Sequence, residues 1–283
     1  NMMKILFICG ADQKYGTPSM LRSIVSSLSG HELTYIVVTQ KYGDINRFCD
    51  EYHIKNVIVP YQSTVYGPCS SKIKNRLKKT IKKFFVSLFN FYAIHKAAKL
   101  IDMKNIDLIH TNMEWEGFGM MISKKYNIPN ITHIRDLFDA HYNVAFLYKR
   151  QIQYMNQNTR QFIAISGAVE NYWIQLGIDR KKLCVVYDGV YSQDIPLASH
   201  RSDETIKIVM CGGLSEGKGH IQLLKAAKLL RDRGICSFHI DFYGDGKKEY
   251  KDFLKNYISE WNLTDFISMK GYISNVAILL HQY

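Results

Sequence analysis

None of the six cysteines stands in a C-x-x-C pair; Cys9, Cys49, Cys69, Cys184, Cys211 and Cys236 are far apart. That scatter argues against a disulfide framework or a zinc ribbon. Cys9, Cys184 and Cys211 lie in apolar strand-like runs and read as small hydrophobes of a reduced, cytoplasmic protein. The ten histidines form no His-x-x-x-His or Cys/His cluster with metal-ligand spacing, so no metal and no cofactor is expected. Long apolar runs are missing as well. The longest nearly apolar one, Phe84–Ile94, falls far short of the ~20 residues that a membrane-spanning helix needs. No charged head, apolar core and cleavage site open the chain, so a secretory signal is not expected. Asn1, ahead of Met2-Met3, is expected to be a vector residue. G-x-G-x-x-G is also absent: the first strand-like run is followed by Gly10-Ala-Asp-Gln-Lys-Tyr-Gly16-Thr17, whose glycines are too far apart for a dinucleotide-binding turn.

What is present is a globular balance, 47% hydrophobic and 22% charged over 283 residues, enough for two domains or one large one. Apolar β-rich runs alternate with helical patterns, the signature of an α/β fold with parallel sheets. Strands are predicted at Lys4–Cys9, Leu33–Val38, Val57–Pro60, Leu108–His110, Asn130–Ile134, Phe162–Ile165 and Leu183–Val186. Helices are predicted at Pro18–Leu28, Asn46–Tyr52, Lys72–Met103, Phe118–Tyr126 and Ala168–Leu176. The polar stretch Ser192–Glu204, with Pro196, reads as a linker. After it the opening pattern restarts: Ile206–Cys211 (IKIVMC) resembles MKILFIC, and each run precedes a glycine. Further strands are predicted from Phe238 to Tyr243 and from Asp265 to Met269, with helices over 219–233 and 247–260 and a last one starting near Ser274. The expected domains are therefore residues 1–191 and 204–283, each beginning a Rossmann-like sheet. The second has room for three strands, where a doubly wound sheet has five or six, so the chain is expected to stop within that domain.

Two glycine turns draw attention. Gly212-Gly213-Leu-Ser215-Glu-Gly-Lys218-Gly-His follows a strand and opens a helix with Ile221, Leu224 and Ala227 on one face. Lys218 is placed in the first turn of that helix, where a lysine opposes the helix dipole unless an anion such as a diphosphate compensates; a solvated lysine in a loop is the other reading. Gly244-Asp245-Gly246 follows the next strand and would share its sheet edge. The Gly10–Met20 loop is either a phosphate-facing turn or an ordinary one.

The order of these segments resembles the retaining GT-B glycosyltransferases of family four. Asp107–Asn112 (DLIHTN), Asn127–Asp136 (NIPNITHIRD), Phe162–Val169 (FIAISGAV) and Leu176–Val190 (LGIDRKKLCVVYDGV) are similar to four of its signatures, and Gly213–His220 and Phe242–Gly246 to its donor-site loops. The resemblance implies a GT-B fold, two Rossmann-like domains facing across a cleft, with the acceptor on the first and a nucleotide-sugar on the second. Carried over, Lys218 meets the donor diphosphate with Gly213, Ser215 and Gly244 around it, Gly16 and Thr17 approach that phosphate, and Tyr272 lies by the nucleotide base. His133 matches an acceptor-side histidine, for sugar contact or acid–base work; a hydrogen-bonded strand-end histidine is the alternative. Arg135 lies near it as a substrate-binding candidate, unless it pairs with Asp136. Two departures stand out. The arginine of the family's G-R-L is Gly213 here, and the Glu-x7-Glu motif would fall beyond Tyr283, so weak donor binding and little or no turnover are expected.

Net charge is +12, and Lys72, Lys74, Arg76, Lys78, Lys79, Lys82 and Lys83 crowd one helical stretch interleaved with Ile73, Leu77, Ile81, Phe84 and Phe85. The pattern fits an anionic membrane surface, and hence a peripheral place at the inner membrane face and a lipid-linked acceptor. A solvated helix packed on its own sheet is a second reading; nucleic acid is disfavoured because no nucleic-acid module accompanies the charge. Rival functions are a non-catalytic binding module and a sugar-nucleotide epimerase or phosphorylase.

Overall fold

The computed structural model describes residues 2–10, 16–28, 32–68, 72–138, 144–189, 205–273, 276–280 and 283. The chain divides into two compact units, Asn1–Val190 and Tyr191–Tyr283. The expected linker Ser192–Glu204 falls outside the described residues, as do Ala11–Tyr15 of the first glycine loop.

The first unit is built on seven parallel strands. In chain order its elements are β1 (Met3–Ile8), α1 (Gly16–Ser27), β2 (Leu33–Thr39), α2 (Asp44–Glu51), β3 (Lys55–Ile58), β4 (Val65–Tyr66), α3 (Lys72–Leu100), β5 (Leu108–Thr111), α4 (Phe118–Tyr126), β6 (Asn130–Ile134), β7 (Ala145–Phe146), α5 (Gln151–Asn158), β8 (Gln161–Ala164), α6 (Gly167–Gln175) and β9 (Leu183–Val185). The sheet order is β3-β2-β1-β5-β6-β8-β9. The chain winds outward from β1 to β3, then crosses back to β5, so the topological switch point lies between β1 and β5. That is where open α/β sheets hold their ligands, beyond the carboxyl ends of the strands.

Alternation along β1 explains why both faces are covered. Leu6 and Ile8 join Ile36, Val38 and Ile109 against Ala93 and Ala97 of α3 and Phe118 and Ile122 of α4. Ile5, Phe7 and Cys9 face the other way, onto Leu21 and Val25 of α1 and Ile45 and Phe48 of α2. A strand buried on both sides reads as a continuous apolar run, which is why MKILFIC carries so clear a signal. The serine of the Phe162–Val169 segment has a structural role, because the Ser166 hydroxyl caps α6 by accepting from the Val169 amide at 3.3 Å.

Periodicity misses three elements. Strands β4 and β7 form a two-residue antiparallel pair, Val65↔Phe146 and Tyr66↔Ala145, too short for any repeat to register. Helix α5 lies in a polar stretch, Gln151–Asn158, with Gln151 and Met155 as its buried residues.

The second unit contains β10 (Ile206–Cys211), α7 (His220–Asp232), β11 (Phe238–Tyr243), α8 (Lys248–Glu260), β12 (Ile267–Gly271) and α9 (Val276–Leu280). Its three strands are parallel in the order β10-β11-β12. Leu224 and Ala227 of α7, Leu254 and Ile258 of α8, and Phe238, Ile240 and Phe242 of β11 form one core. No described helix is long and apolar enough to cross a membrane.

Candidate active site: two carboxyl-edge clusters

In the second unit, each strand runs into a glycine at its carboxyl end, and the backbone knits the three turns together. Gly212 N–H donates to the Tyr243 carbonyl at 2.9 Å, Gly244 N–H to the Gly271 carbonyl at 2.8 Å, and Leu214 N–H to the Asp245 carbonyl at 2.9 Å. Gly244 has φ +154°, and a Cβ there would lie inside van der Waals contact of the Gly212 carbonyl oxygen; one on Gly246 would strike the Leu214 carbonyl. These two glycines exist because backbones meet. Gly213 and Gly217 differ, since a Cβ at either would find open space or ordinary contact.

Lys218 ends a 3-10 turn, Glu216–Lys218, and does not occupy the first turn of the helix as the spacing predicts. Gly219, in the left-handed region at φ +84°, separates it from α7. No side chain caps α7 and no acidic residue sits in its first turn. Its leading amides therefore keep their partial positive charge for a ligand. Gly213, Ser215 and Lys218 are exposed around this helix end.

The first unit holds a denser polar cluster at the switch point. The guanidinium of Arg135, just past β6, is nearly buried and held between Asn112 and Asp188. Its Nη1 donates to both Asp188 carboxylate oxygens at 3.0 and 3.1 Å, and its Nε and Nη2 donate to Asn112 Oδ1 at 3.2 and 3.0 Å. The Arg135 amide donates to Glu114 Oε2 at 3.1 Å, while Glu114 Oε1 is buried without a hydrogen-bond partner. Burial, then the neighbouring Asp136, holds the Glu114 carboxyl well above the usual range. Beside it the Tyr61 hydroxyl donates to the Cys9 carbonyl at 3.2 Å, and Gln40 Nε2 donates to Glu116 Oε2 at 3.3 Å. Burial raises Glu116 to about 7.

His133 lies on β6 beside His110 on β5, with His110 Nε2 and His133 Nδ1 3.1 Å apart. The rings are stacked, and Phe7 closes on His110 with centroids 4.9 Å apart. Burial, with Arg135 adding to it, lowers His110 to about 3; burial, Arg135 and then His110 lower His133 to about 2. Both imidazoles are neutral near pH 7. His133 Nε2 is buried with no hydrogen-bond partner, an arrangement that costs about 1–3 kcal/mol unless a ligand or water fills it. The strand-end reading is thus half right: one ring nitrogen is engaged and the other is not.

The family description Glycosyltransferase Family 4 matches residues 29–193. The chain belongs to this family. No curated protein matches it in sequence. Its fold is that of GT-B glycosyltransferases: the Anabaena HepE structure with UDP and glucose is 17% identical, with a TM-score of 0.71 over 99% of this chain and 72% of that one. A glycosyltransferase from Rickettsia africae is 19% identical, with a TM-score of 0.68 over 99% and 71%. Staphylococcus aureus TarM, solved as a G117R mutant with fondaparinux, alpha-GlcNAc-glycerol and UDP, is 12% identical, with a TM-score of 0.65 over 96% and 78%.

In this family 4 chain the sequence-predicted residues fall into two groups. Gly213, Ser215, Lys218, Gly244 and Tyr272 gather at the carboxyl edge of the second unit, Tyr272 being exposed after Gly271. His133 and Arg135 share the carboxyl edge of the first. Gly16 is the first residue of α1, which begins two positions ahead of the predicted start at Pro18; the Thr17 side chain lies outside the described residues. Arg135 pairs with Asp188, a partner that no local pattern announces, and a substrate contact would have to share its guanidinium. His110, Asn112, Glu114, Glu116 and Asp188 join this polar cluster, and the sequence motifs do not single them out. The available signal is the run of polar residues directly after an apolar strand, His110-Thr111-Asn112 and beyond. Among the described residues no group of His, Cys, Asp and Glu is arranged to hold a metal.

Two outcomes follow from this geometry. Below pH 4.5 Glu116 is protonated in both the folded and unfolded chain. Between there and about 7 only the folded family 4 chain keeps the proton, so this contribution to stability is lost as pH rises. Glu116→Gln removes that loss, and the variant gains roughly 3 kcal/mol on wild type between pH 4.5 and 8 at ~1.36 kcal/mol per pKa unit. Equilibrium urea unfolding across that range measures it; a difference that does not change with pH contradicts a buried neutral carboxyl. The two histidines act with the opposite sign, their contribution being lost as pH falls below their ordinary value of 6.5. Second, Gly244→Ala destabilises the second unit by about 3 kcal/mol through overpacking against backbone, while Gly213→Ala leaves its melting within ~0.5 kcal/mol of wild type. Thermal unfolding of the two variants checks the contrast.

Proposed function

We propose that this chain carries the sites of an enzyme that moves a sugar from a UDP- or GDP-linked donor to a glycan or lipid-linked acceptor in bacterial cell-surface polysaccharide synthesis, whether capsule, exopolysaccharide or lipopolysaccharide, with weak donor binding and little turnover expected of the chain itself. The observation that carries the reading is the uncapped N-terminus of α7 with Lys218 just before it, on a sheet edge where Gly244 and Gly246 let the backbones close up. That edge offers N–H groups and one ammonium to a diphosphate, the leaving group such a transfer requires. Gly213 and Ser215 line the approach, and Tyr272 lies by the base. Gly16 and Thr17, at the start of α1, are the first unit's candidates for an anionic group, at a helix N-terminus of their own.

The transfer retains the anomeric configuration and uses no metal. The bond from the sugar's anomeric carbon to the diphosphate oxygen breaks, the acceptor oxygen bonds the same carbon on the same face, and the acceptor's proton passes to the departing diphosphate. Lys218 and the α7 amides stabilise the charge on the diphosphate. His133 meets the transferring sugar or the acceptor hydroxyl through its unpartnered Nε2, as a neutral hydrogen-bonding group. Arg135 keeps Asn112 and Asp188 in place around it. The setting is the cytoplasmic face of the inner membrane, where the basic helix α3 suits an acceptor carried on an anionic surface.

Incubation with nucleotide-sugars labelled in the sugar tests the class. A transferase releases free UDP or GDP and places the label on an acceptor or water with the anomeric configuration kept. Recovery of an isomerised nucleotide-sugar would instead support an epimerase, and indifference to every nucleotide-sugar would support a binding module.

A further inference from the structure

Helix α3 carries two apolar faces, and only one of them packs on the protein. Val86, Ala93, Ala97 and the amide of Asn90 point inward. Asn90 Oδ1 accepts from the Gln62 amide at 2.7 Å and its Nδ2 donates to the Gln62 carbonyl at 2.9 Å. Toward the N-terminal end of the helix the support is the small β4–β7 pair. Val86 packs with Tyr66 and Leu147, Lys79 lies over the Tyr66 ring and Lys83 over the Tyr148 ring. The helix is thus fixed in rotation by contacts along its length.

On the opposite side, Ile73, Leu77, Ile81, Phe84, Leu88 and Phe91 recur at three- and four-residue spacing, so they form one stripe. All six are exposed, Ile73 by 83%, Phe84 by 65% and Phe91 by 64%. Phe85, Phe89 and Tyr92 widen the stripe, and Leu88, Phe89, Phe91 and Tyr92 line an apolar hollow of ≈ 360 Å³. From Ile73 to Phe91 the stripe is about 27 Å long at the α-helical rise. This excludes the reading in which these residues pack on the chain's own sheet.

Charge identifies the occupant. Between Glu51 and Asp102 the sequence has no acidic residue, and Arg76, Lys78, Lys83 and Lys99 are exposed along the same helix. A second copy of this chain would set one cationic helix against another. A nucleic acid would match the charge and leave the aliphatic and aromatic stripe in water. An anionic bilayer surface satisfies both at once: basic side chains meet the headgroups and the stripe sinks among the upper acyl carbons. We propose that α3 is an interfacial anchor that inserts its Ile73–Phe91 stripe into an anionic lipid leaflet. This goes beyond a salt-dependent attraction of lysines, and it stands apart from the transfer chemistry, because vesicle binding needs no donor and no turnover.

Co-flotation of the purified chain with vesicles of equal parts phosphatidylglycerol and phosphatidylcholine tests it, alongside vesicles of phosphatidylcholine alone. Binding to the anionic vesicles is expected, weakened but not abolished at molar salt, where the screening length falls to about 3 Å. The variant Phe84→Ser/Leu88→Ser/Phe91→Ser, altered only at exposed positions, should melt like wild type and bind about a hundredfold more weakly. A Phe84→Trp variant should be quenched by lipids brominated in the acyl chain beyond the level of the wild-type tryptophans. Binding that vanishes in salt and ignores the triple serine variant overturns insertion. So does the absence of vesicle binding together with a dimer, or a nucleic-acid complex, that the triple variant loses.

Discussion

Lys218→Ala should lower the rate of nucleotide-sugar cleavage by about two to three orders of magnitude, while the melting of the protein stays unchanged. The size follows from what one preorganised contact to a developing anion contributes, ~3–4 kcal/mol of barrier. The invariance of the fold follows from where the residue sits. Lys218 ends an exposed 3-10 turn, and Gly219 isolates it from α7, whose core residues Leu224 and Ala227 lie beyond it. Nothing in the apolar core of the second unit rests on its side chain. Lys218→Arg should recover part of the loss, because charge is kept while the compact ammonium geometry is not. Affinity for the bare nucleoside diphosphate, with sensitive detection of released UDP or GDP as the second readout, measures the effect. An alanine variant as active as wild type would remove Lys218 from the donor site and leave the α7 amides to bind the phosphate alone.

The second large effect concerns stability, in the first unit. Arg135→Ala should cost roughly 3–5 kcal/mol, the range for breaking a buried charge network by deleting one member. The guanidinium side chain is 5% exposed, and its loss strips Asn112 Oδ1 of two donors and Asp188 of its bidentate partner. Asp188, with a third of its side chain exposed, is partly rescued by solvent, so most of the cost comes from Asn112 and the space left behind. Arg135→Lys should fall between, since a lysine cannot span Asn112 and Asp188 with one planar fork. Arg135 also helps hold His110 and His133 neutral. In the alanine variant their proton NMR titrations should therefore move upward, a shift that a simple packing defect would not produce. A loss below ~1 kcal/mol would mean that the guanidinium is not a structural clamp and is available to a substrate.

The layers of this fold are legible in the sequence and the site only half so, for physical reasons. Strands such as Met3–Ile8 read as near-continuous apolar runs because both faces of the sheet are covered, whereas Phe238–Tyr243 is legible by alternation, with Phe238, Ile240 and Phe242 buried and the residues between them half-buried. Helix α5 and the β4–β7 pair carry no such signal, being polar or two residues long. The glycine turns of the second unit are readable because glycines that allow backbone contact, as at Gly244 and Gly246, leave an unmistakable letter. The first-unit cluster is not, since nothing local to Asp188 announces Arg135 53 residues earlier as its partner. Helix α3 shows the same limit. Interleaved lysines and phenylalanines are compatible with packing inward or outward, and only the rotation fixed by Asn90, Val86 and the Tyr66 and Tyr148 rings decides which face is left to solvent.

The transferase reading rests on the glycine edge of the second unit as the seat of a nucleotide-sugar diphosphate. Titration of isotopically labelled protein with UDP-glucose and GDP-mannose, followed by amide chemical shifts, tests it most directly because weak binding suffices. The amides of Gly212–His220 and Gly244–Gly246 should move on titration with one of the two, and the same resonances should stay still in Lys218→Ala at equal ligand concentration. Saturable shifts confined to other residues, or none at millimolar ligand, would contradict it.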